Sequence, residues 1–296
     1  MSDSQTEPVN ASPHAGPVAV VVLNYNGENL LPALLESLDQ LQYPSFRVFM
    51  VDNASTDNSL NILLACKSFA EIEIIANDSN LLFSGGNNVG IRKALDWGAK
   101  YVLLLNNDTI VPPRLVNQLV DFLQSCPNAG VVGPMIHFGE PKGIIWGAGG
   151  TVSTWWGIVK HRGIRERDRG QFSKPAQVDY VSGAALMARR EVFEKIGLLD
   201  MAFPMYYEDT DFCFRARVAG FETWYVPTDP LIHLVSVAAG GQVSKFKISR
   251  RFSSGMRFFA RHAKWYQWPT IILGQIFETI RVTLMIGFRK IENNSS

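Results

Sequence analysis

Cysteine is scarce: Cys66, Cys126 and Cys213 lie far apart in 296 residues and no CxxC pair occurs. That excludes a disulfide framework and leaves reduced thiols in the cytosol as the simplest reading. Long apolar runs are missing too. The hydrophobic stretch from Trp265 to Phe288 is interrupted by Gln275, Glu278 and Arg281, which argues against a bilayer-spanning helix. Residues 1–16 have neither a basic n-region nor an apolar h-region, and are expected to be a disordered leader and not a signal peptide. No internal repeat is visible. Charge of one sign is lacking only on average. The net charge is +1, yet from Gln242 onward ten basic residues face two acidic ones, against 18 basic and 25 acidic in the remainder. An acidic body with a basic end that meets an anionic surface is the expectation, with no nucleic-acid partner.

Hydrophobic residues make up 47% of the chain, enough for a substantial core. Val18 to Asn24 is a β-branched run that reads as a first central strand, and Leu30, Leu31, Leu34, Leu35 and Leu38 then recur at helical spacing. Phe46 to Val51 and Ile72 to Ile75 are the next strands, with a helix from Ser59 to Phe69 between them. A Gly/Asn-rich loop, Ser84 to Gly90, precedes a helix running to Trp97. The apolar run from Tyr101 ends abruptly at Asn106-Asn107-Asp108, a helix follows over 112–125, and Val131-Val132 makes a fifth strand. Strand and helix alternating every dozen residues argue for parallel βαβ units. After Pro134 the rhythm changes. The glycine- and tryptophan-rich stretch 143–162 suggests a hairpin or flap, Tyr180 to Ala188 a small-residue strand, and Arg190 to Ile196 a short helix closed by Gly197. A further helix follows Glu208-Asp209-Thr210-Asp211, and Phe221 to Val226 is a late strand.

Polar residues collect where strands end: Asn24 and Asn26, Asp52, Asn53 and Ser55, Asn107 and Asp108. In an open α/β sheet, ligands bind beyond the carboxyl ends of the strands, so these clusters would face one crevice. Asp52 could accept a hydrogen bond from a base or ribose hydroxyl; the competing role is a turn cap. Asp108 could hold a divalent cation, which takes one or two protein carboxylates together with substrate phosphates. The glycine stretch, opening a helix, could bring its amides to a phosphate, although it matches neither GxGxxG nor GxxxxGK[ST]. Glu208 and Asp209 stand at a helix start among aromatic residues, where a carboxyl's pKa rises toward general-base range. His233 is isolated. Trp146, Trp155 and Trp156 could stack on the rings of a ligand or simply pack the flap.

Six segments together resemble inverting glycosyltransferases of family 2 with the GT-A fold, in particular the bacterial rhamnosyltransferase-like branch. They are VVVLNYNG (20–27), VDNASTD (51–57), FSGGNNVGI (83–91), LLLNNDTIV (103–111), VDYVSGAALMARREVFEKIGLLD (178–200) and YYEDTDFCFRARVAGF (206–221), and they appear in the family's order. The resemblance implies an α/β fold with a mostly parallel GT-A nucleotide-binding sheet and a helical carboxy-terminal extension. It implies a leader over 1–16, a catalytic domain over 17–240 (nucleotide half 17–135, acceptor half 136–240) and a basic amphipathic extension over 241–296. Asn24, Asn26, Asp52 and Asn107 would bind the nucleotide sugar, with Ser55, Gly86 and Asn87 shaping its pocket. The family's Asp-x-Asp motif falls on Asn106-Asn107-Asp108, so asparagine replaces the first aspartate. Asp108 would then be the principal carboxylate on Mg²⁺ or Mn²⁺, with His233 where some relatives complete the metal site. The Glu-Asp pair falls on Glu208-Asp209, with Asp209 as catalytic base.

The implied reaction is inverting transfer of one sugar from a nucleoside diphosphate, with dTDP-rhamnose a first guess, to a hydroxyl of a glycan or lipid-linked acceptor in cell-surface polysaccharide synthesis. The rivals are a sugar-nucleotide nucleotidyltransferase, which would carry a Gly-rich basic loop where this chain has Asn-Tyr-Asn-Gly, and an inactive scaffold. In the carboxy-terminal extension Ile271, Ile272, Ile276, Ile280 and Leu284 fall near one face, with Arg250, Arg251, Arg257, Arg261 and Lys264 upstream. A helix lying on the cytoplasmic face of an anionic membrane is one expectation. Docking on the catalytic domain or on a second copy in a homodimer is the other.

Overall fold

The computed structural model describes residues 16–66, 71–234 and 245–277. In chain order its first half runs β1 (Val18–Asn24), α1 (Leu31–Asp39), β2 (Phe46–Asp52), α2 (Ser59–Ala65), β3 (Ile72–Ala76), α3 (Leu82–Asp96), β4 (Tyr101–Asn106), β5 (Thr109–Ile110) and α4 (Leu115–Ser125). The second half begins with a series of strands: β6 (Ala129–Gly133), β7 (Ile136–Phe138), β8 (Ile145–Gly147), β9 (Gly150–Ser153), β10 (Ile158–His161), β11 (Ala176–Gln177) and β12 (Ala185–Arg189). It ends with α5 (Arg190–Ile196), α6 (Glu208–Val218), β13 (Glu222–Tyr225), β14 (Leu231–His233) and α7 (Lys245–His262). A short 3-10 turn, Trp265–Gln267, leads into a helical stretch over 268–277.

Eight strands form the main sheet in the order β11-β13-β6-β12-β4-β1-β2-β3. The pairs β4-β1, β1-β2, β2-β3 and β13-β6 are parallel, while β12 runs against both β4 and β6. The central strands are buried on both faces, which is why they read as continuous apolar runs without alternation. On one face Val18, Val20, Val22, Leu103 and Leu105 pack against α1 and α4 through Leu31, Leu34, Leu119 and Leu123. On the other, Ala19, Val21, Val102 and Leu104 meet Ile91, Val192 and Phe212. This is a mixed α/β architecture with a large, mostly parallel central sheet.

Three expectations need correction. The stretch Ser84 to Gly90 is not a loop: it lies inside α3, and Gly86 brings the helix so close to β1 that any Cβ would collide with Leu23. Ser182 to Ala184 precedes β12 as a turn instead of belonging to a strand. The second sheet, β5-β14-β7-β8, was not anticipated. Its strands are two or three residues long, below the length at which side-chain periodicity registers. The hairpin expected within 143–162 is present as β9-β10.

Much of the carboxy-terminal extension is committed to the body. Phe258 and Phe259 of α7 are fully buried in a cluster with Phe203, Phe214 and Ile271. Arg261 pairs with Asp200 at 2.6 Å and with the buried Asp211 at 3.0 Å, and His262 stands 2.8 Å from the same Asp211 oxygen. Ile271 and Arg261 therefore do not belong to an outward membrane face as the spacing suggested, and Ile280 and Leu284 lie outside the described residues. Among the described residues no helix is long and apolar enough to cross a membrane.

Candidate active site

At the carboxyl ends of β1, β2 and β4 the three polar clusters are bonded into one unit. Asn24 donates to Asp52 Oδ1 at 3.1 Å and accepts from Asn107 Nδ2 at 2.8 Å. The hydroxyl of Ser55 donates to Asp52 Oδ1 at 2.6 Å and accepts the Asn26 N–H at 3.0 Å. Asn26, itself left-handed at φ 50°, accepts the Thr56 N–H at 2.8 Å. Two βα turns are thereby stapled to each other and to the end of β4. Gly27 is required at the junction, because a Cβ there would overlap Asn24 Oδ1 and Asn107 Nδ2. Asp52 is almost wholly buried and takes two of these bonds plus the Ser55 N–H on Oδ2 at 3.0 Å, so it also serves as the turn cap that competed with a ligand role.

Gly86 and Asn87 stand differently from what a phosphate loop would need. Both are buried in α3; Asn87 Nδ2 donates to Phe83 O at 2.9 Å, one helical turn back. Asn88 holds both the N–H and the carbonyl of Leu199, at 3.0 and 2.8 Å. These residues set how α3 packs under the crevice, and their mid-helix amides are used within the helix.

Asp108 follows β4, and His233 ends β14 in the second sheet. His233 Nε2 stands 3.0 Å from Asp108 Oδ1 but off the line of a hydrogen bond. Asp108 Oδ1 and both His233 ring nitrogens are buried without a hydrogen-bonding partner among the described residues. An orphaned carboxylate oxygen beside an orphaned imidazole nitrogen is a donor set that fits a divalent cation. Two ligands do not complete a coordination sphere, and no group of three or more His, Cys, Asp or Glu that could hold a metal occurs among the described residues. Substrate oxygens would have to supply the rest.

Asp209 reaches the same end of the sheet from the other direction. Its Oδ2 accepts the Gly183 N–H at 2.9 Å, and its Oδ1 accepts the Thr210 N–H at 2.6 Å and the Thr210 hydroxyl at 3.1 Å. The next residue, Ala184, accepts the Asn106 N–H at 3.1 Å, so Gly183 links Asp209 to the end of β4 just before Asp108. Burial raises the Asp209 pKa, and the bonds from Gly183 and Thr210 hold it down only in part. Glu208 is raised well above the ordinary carboxyl range, first by burial and then by the neighbouring Asp209, and its Oε2 has no hydrogen-bond partner among the described residues. The turn presenting the pair is strained: Tyr206 and Tyr207 both sit in the left-handed region, at φ 68° and 69°. From α7, Ser254 donates to Met205 O at 3.0 Å, and Phe258 lies 5.4 Å from the Tyr207 ring.

A small recess nearby is lined among others by Pro134, Trp146, His161, Ser182 and Ala185. Trp146 is wedged between the rings of His161 and His233, at 4.4 and 4.8 Å. His161 stands 3.2 Å from the Tyr180 hydroxyl; burial, with help from Arg251 and His233, pushes its pKa down to about 4. His161 belongs to none of the motif segments, and Tyr180, within the 178–200 segment, has no role assigned from sequence. Trp146 packs here, whereas Trp155 and Trp156 are exposed at the β9-β10 tip.

The glycosyl transferase family 2 profile matches residues 19–197. The chain belongs to glycosyltransferase family 2. A low-salt glycan biosynthesis hexosyltransferase of Haloferax volcanii is 27% identical over 93% of this chain and 86% of its own length. The N-acetylglucosaminyl-diphospho-decaprenol L-rhamnosyltransferase of Mycobacterium tuberculosis is 24% identical over 84% of this chain and 86% of its own. Among solved structures, a mannosyltransferase from Pyrobaculum calidifontis in complex with GDP-Man and Mn²⁺ superposes with a TM-score of 0.58 at 16% identity, covering 86% of this chain and 67% of that one. S. aureus TarS 1–349 in complex with UDP gives 0.57 at 17% identity, covering 86% and 77%. The chain is thus a glycosyltransferase with a GT-A-like fold.

Proposed function

We propose that this glycosyltransferase moves one sugar from a nucleoside diphosphate, with inversion, to a hydroxyl of a glycan or lipid-linked acceptor in cell-surface polysaccharide synthesis. The observation carrying this reading is Asp209: a part-exposed carboxylate with raised proton affinity, aimed by Gly183 and Thr210, at the sheet end where Asp108 and His233 leave orphaned donors. Asp209 accepts the acceptor hydroxyl's proton as that oxygen attacks the anomeric carbon and the bond to the diphosphate breaks. One displacement inverts the centre, so no enzyme nucleophile is required. Glu208, buried with a raised pKa, disfavours a second negative charge beside Asp209 and keeps its neighbour the ionising member of the pair.

Asn24, Asn26, Asp52, Ser55 and Asn107 form the nucleotide end, a rigid bonded unit in which Asp52 retains lone-pair capacity for a donor hydroxyl. Mg²⁺ or Mn²⁺, held by Asp108, His233 and the donor's phosphates, would supply positive charge for the departing diphosphate. The first donor to test is dTDP-rhamnose, which is supported by the rhamnosyltransferase relatives, including a dTDP-rhamnosyl transferase of Shigella flexneri 26% identical over 74% of this chain.

The experiment is nucleoside diphosphate release from a panel of sugar nucleotides with Mn²⁺, for the wild type and for Asp209→Asn. Asp209→Asn should still bind donor, read as a thermal shift, while turnover falls by about two to four orders of magnitude. Turnover at the wild-type level would remove Asp209 from the role. Pyrophosphate-dependent exchange in place of diphosphate release would favour nucleotidyl transfer.

A further inference from the structure

One surface of the molecule has a composition that a water-facing surface rarely carries. At the β9-β10 tip Trp155 and Trp156 are 54% and 55% exposed. Beside them Trp265 is 84% exposed, and Leu273 and Phe277 61% and 64%, with Tyr266, Ile272 and Ile276 also open. They form one patch. Trp155 lies 5.8 Å from Tyr266, which lies 5.9 Å from Trp265. The tip and the helix are fixed together from beneath: Gln267 donates to Thr154 Oγ1 at 3.1 Å, Gln275 donates to Gly157 O, and Gly274 leaves no room for a Cβ against Trp156 O. Ile271 faces inward and is fully buried, so the outward face over 268–277 is set by packing on the other side. Contiguous exposed apolar surface on this scale marks an interaction site.

Two features on this surface say what covers it. Trp and Tyr, apolar bodies with a polar handle, concentrate at the boundary between headgroups and hydrocarbon. The charge beside these rings is positive: Lys264 is exposed with its Nζ 5.9 Å from the Tyr266 ring, and the sequence has no acidic residue between Gln242 and Phe277. We propose that the aromatic patch formed by the β9-β10 tip and residues 265–277 seats the enzyme on the headgroup boundary of an anionic lipid bilayer. The seat lies in the interface without crossing it, and its two hairpin tryptophans, Trp155 and Trp156, come from the body of the protein. It does not depend on the identity of donor or acceptor.

The test is co-sedimentation of the full chain with vesicles of phosphatidylglycerol and phosphatidylcholine, against phosphatidylcholine alone, together with quenching of tryptophan fluorescence by brominated lipid. Two double variants, Trp155→Ser with Trp156→Ser and Leu273→Glu with Ile276→Glu, alter outward side chains from opposite sides of the patch. The wild type should partition onto anionic vesicles and be quenched, and each double variant should lose tenfold or more in partitioning while its melting temperature is kept. A wild type that stays in the supernatant at low salt overturns the proposal. So does binding that both folded variants retain, which would place the contact elsewhere in the chain. Dimers that dissociate in the variants, without vesicle binding in the wild type, would assign the patch to a second copy and overturn it equally.

Discussion

His233 Nε2 and Asp108 Oδ1 face each other at 3.0 Å, one from the small sheet and one from the turn after the central strand, without the alignment of a hydrogen bond. The pair is held from both sides: Trp146 stacks edge-on to His233, and Asp108 O accepts the Leu234 N–H at 2.8 Å. If the two share a cation, His233→Ala should raise the Mn²⁺ concentration for half-maximal activity about tenfold or more. Asp108→Asn should do so more strongly, with Asp209's own pH limb unmoved. A metal titration of activity checks both; unchanged half-saturation in His233→Ala would exclude the histidine.

The raised pKa of Asp209 sets a pH signature. A base must be ionised to act, so kcat/KM should climb as pH rises through the pKa of the Glu208-Asp209 pair. The acid limb should therefore lie above the ordinary aspartate value of about 3.9. Thr210→Val removes the hydroxyl donor to Asp209 Oδ1 and should move that limb further up while leaving donor binding intact. The pH dependence of kcat/KM for both proteins is the measurement.

Asp211 predicts stability. Its buried carboxylate is held below the usual range by hydrogen bonds from His262 and Arg215 and by the charges of Arg215 and Arg261. A depressed folded pKa gives stability that is present above the unfolded value and lost as pH falls through the folded one. Asp211→Asn should cost on the order of 1.5–3 kcal/mol at neutral pH, since it removes the charge-assisted bonds to Arg215 and Arg261. Denaturant unfolding should show the variant losing less further stability than the wild type on acidification.

Gly27→Ala isolates the nucleotide end. The added methyl must displace the Asn24 and Asn107 side chains, breaking the bond between them. Overpacking of this kind costs about 1–3 kcal/mol. The variant should remain folded by circular dichroism yet lose donor affinity in a thermal-shift titration, with Asp209's pH limb unchanged.

The central sheet was legible in the sequence because its strands are buried on both faces and its helices carry leucines at helical spacing. The chemistry at the ends of β1, β2 and β4 was legible for the same reason: an apolar run that stops at an amide or a carboxylate marks a strand end. What failed to register was short or set by tertiary contact. The strands β5, β7, β8 and β14 are too brief to show a period, and they are what carries His233 to Asp108. His161 and Tyr180 meet only because β10 folds back over the turn before β12, and no local pattern announces that. The Gly-Asn stretch misled because glycines that let a helix lie close to a strand look, in sequence, like glycines that open a loop.

The reversed direction of β12 carries one more implication. Because it runs against β4, the segment arriving at its start is delivered to the very edge where β1, β2 and β4 finish. Residues that would choose the incoming alcohol therefore sit on a stretch of chain wholly separate from those that would grip the leaving group. Exchanging the loops before β12 between relatives should re-target the product while the activated-sugar preference stays as it was.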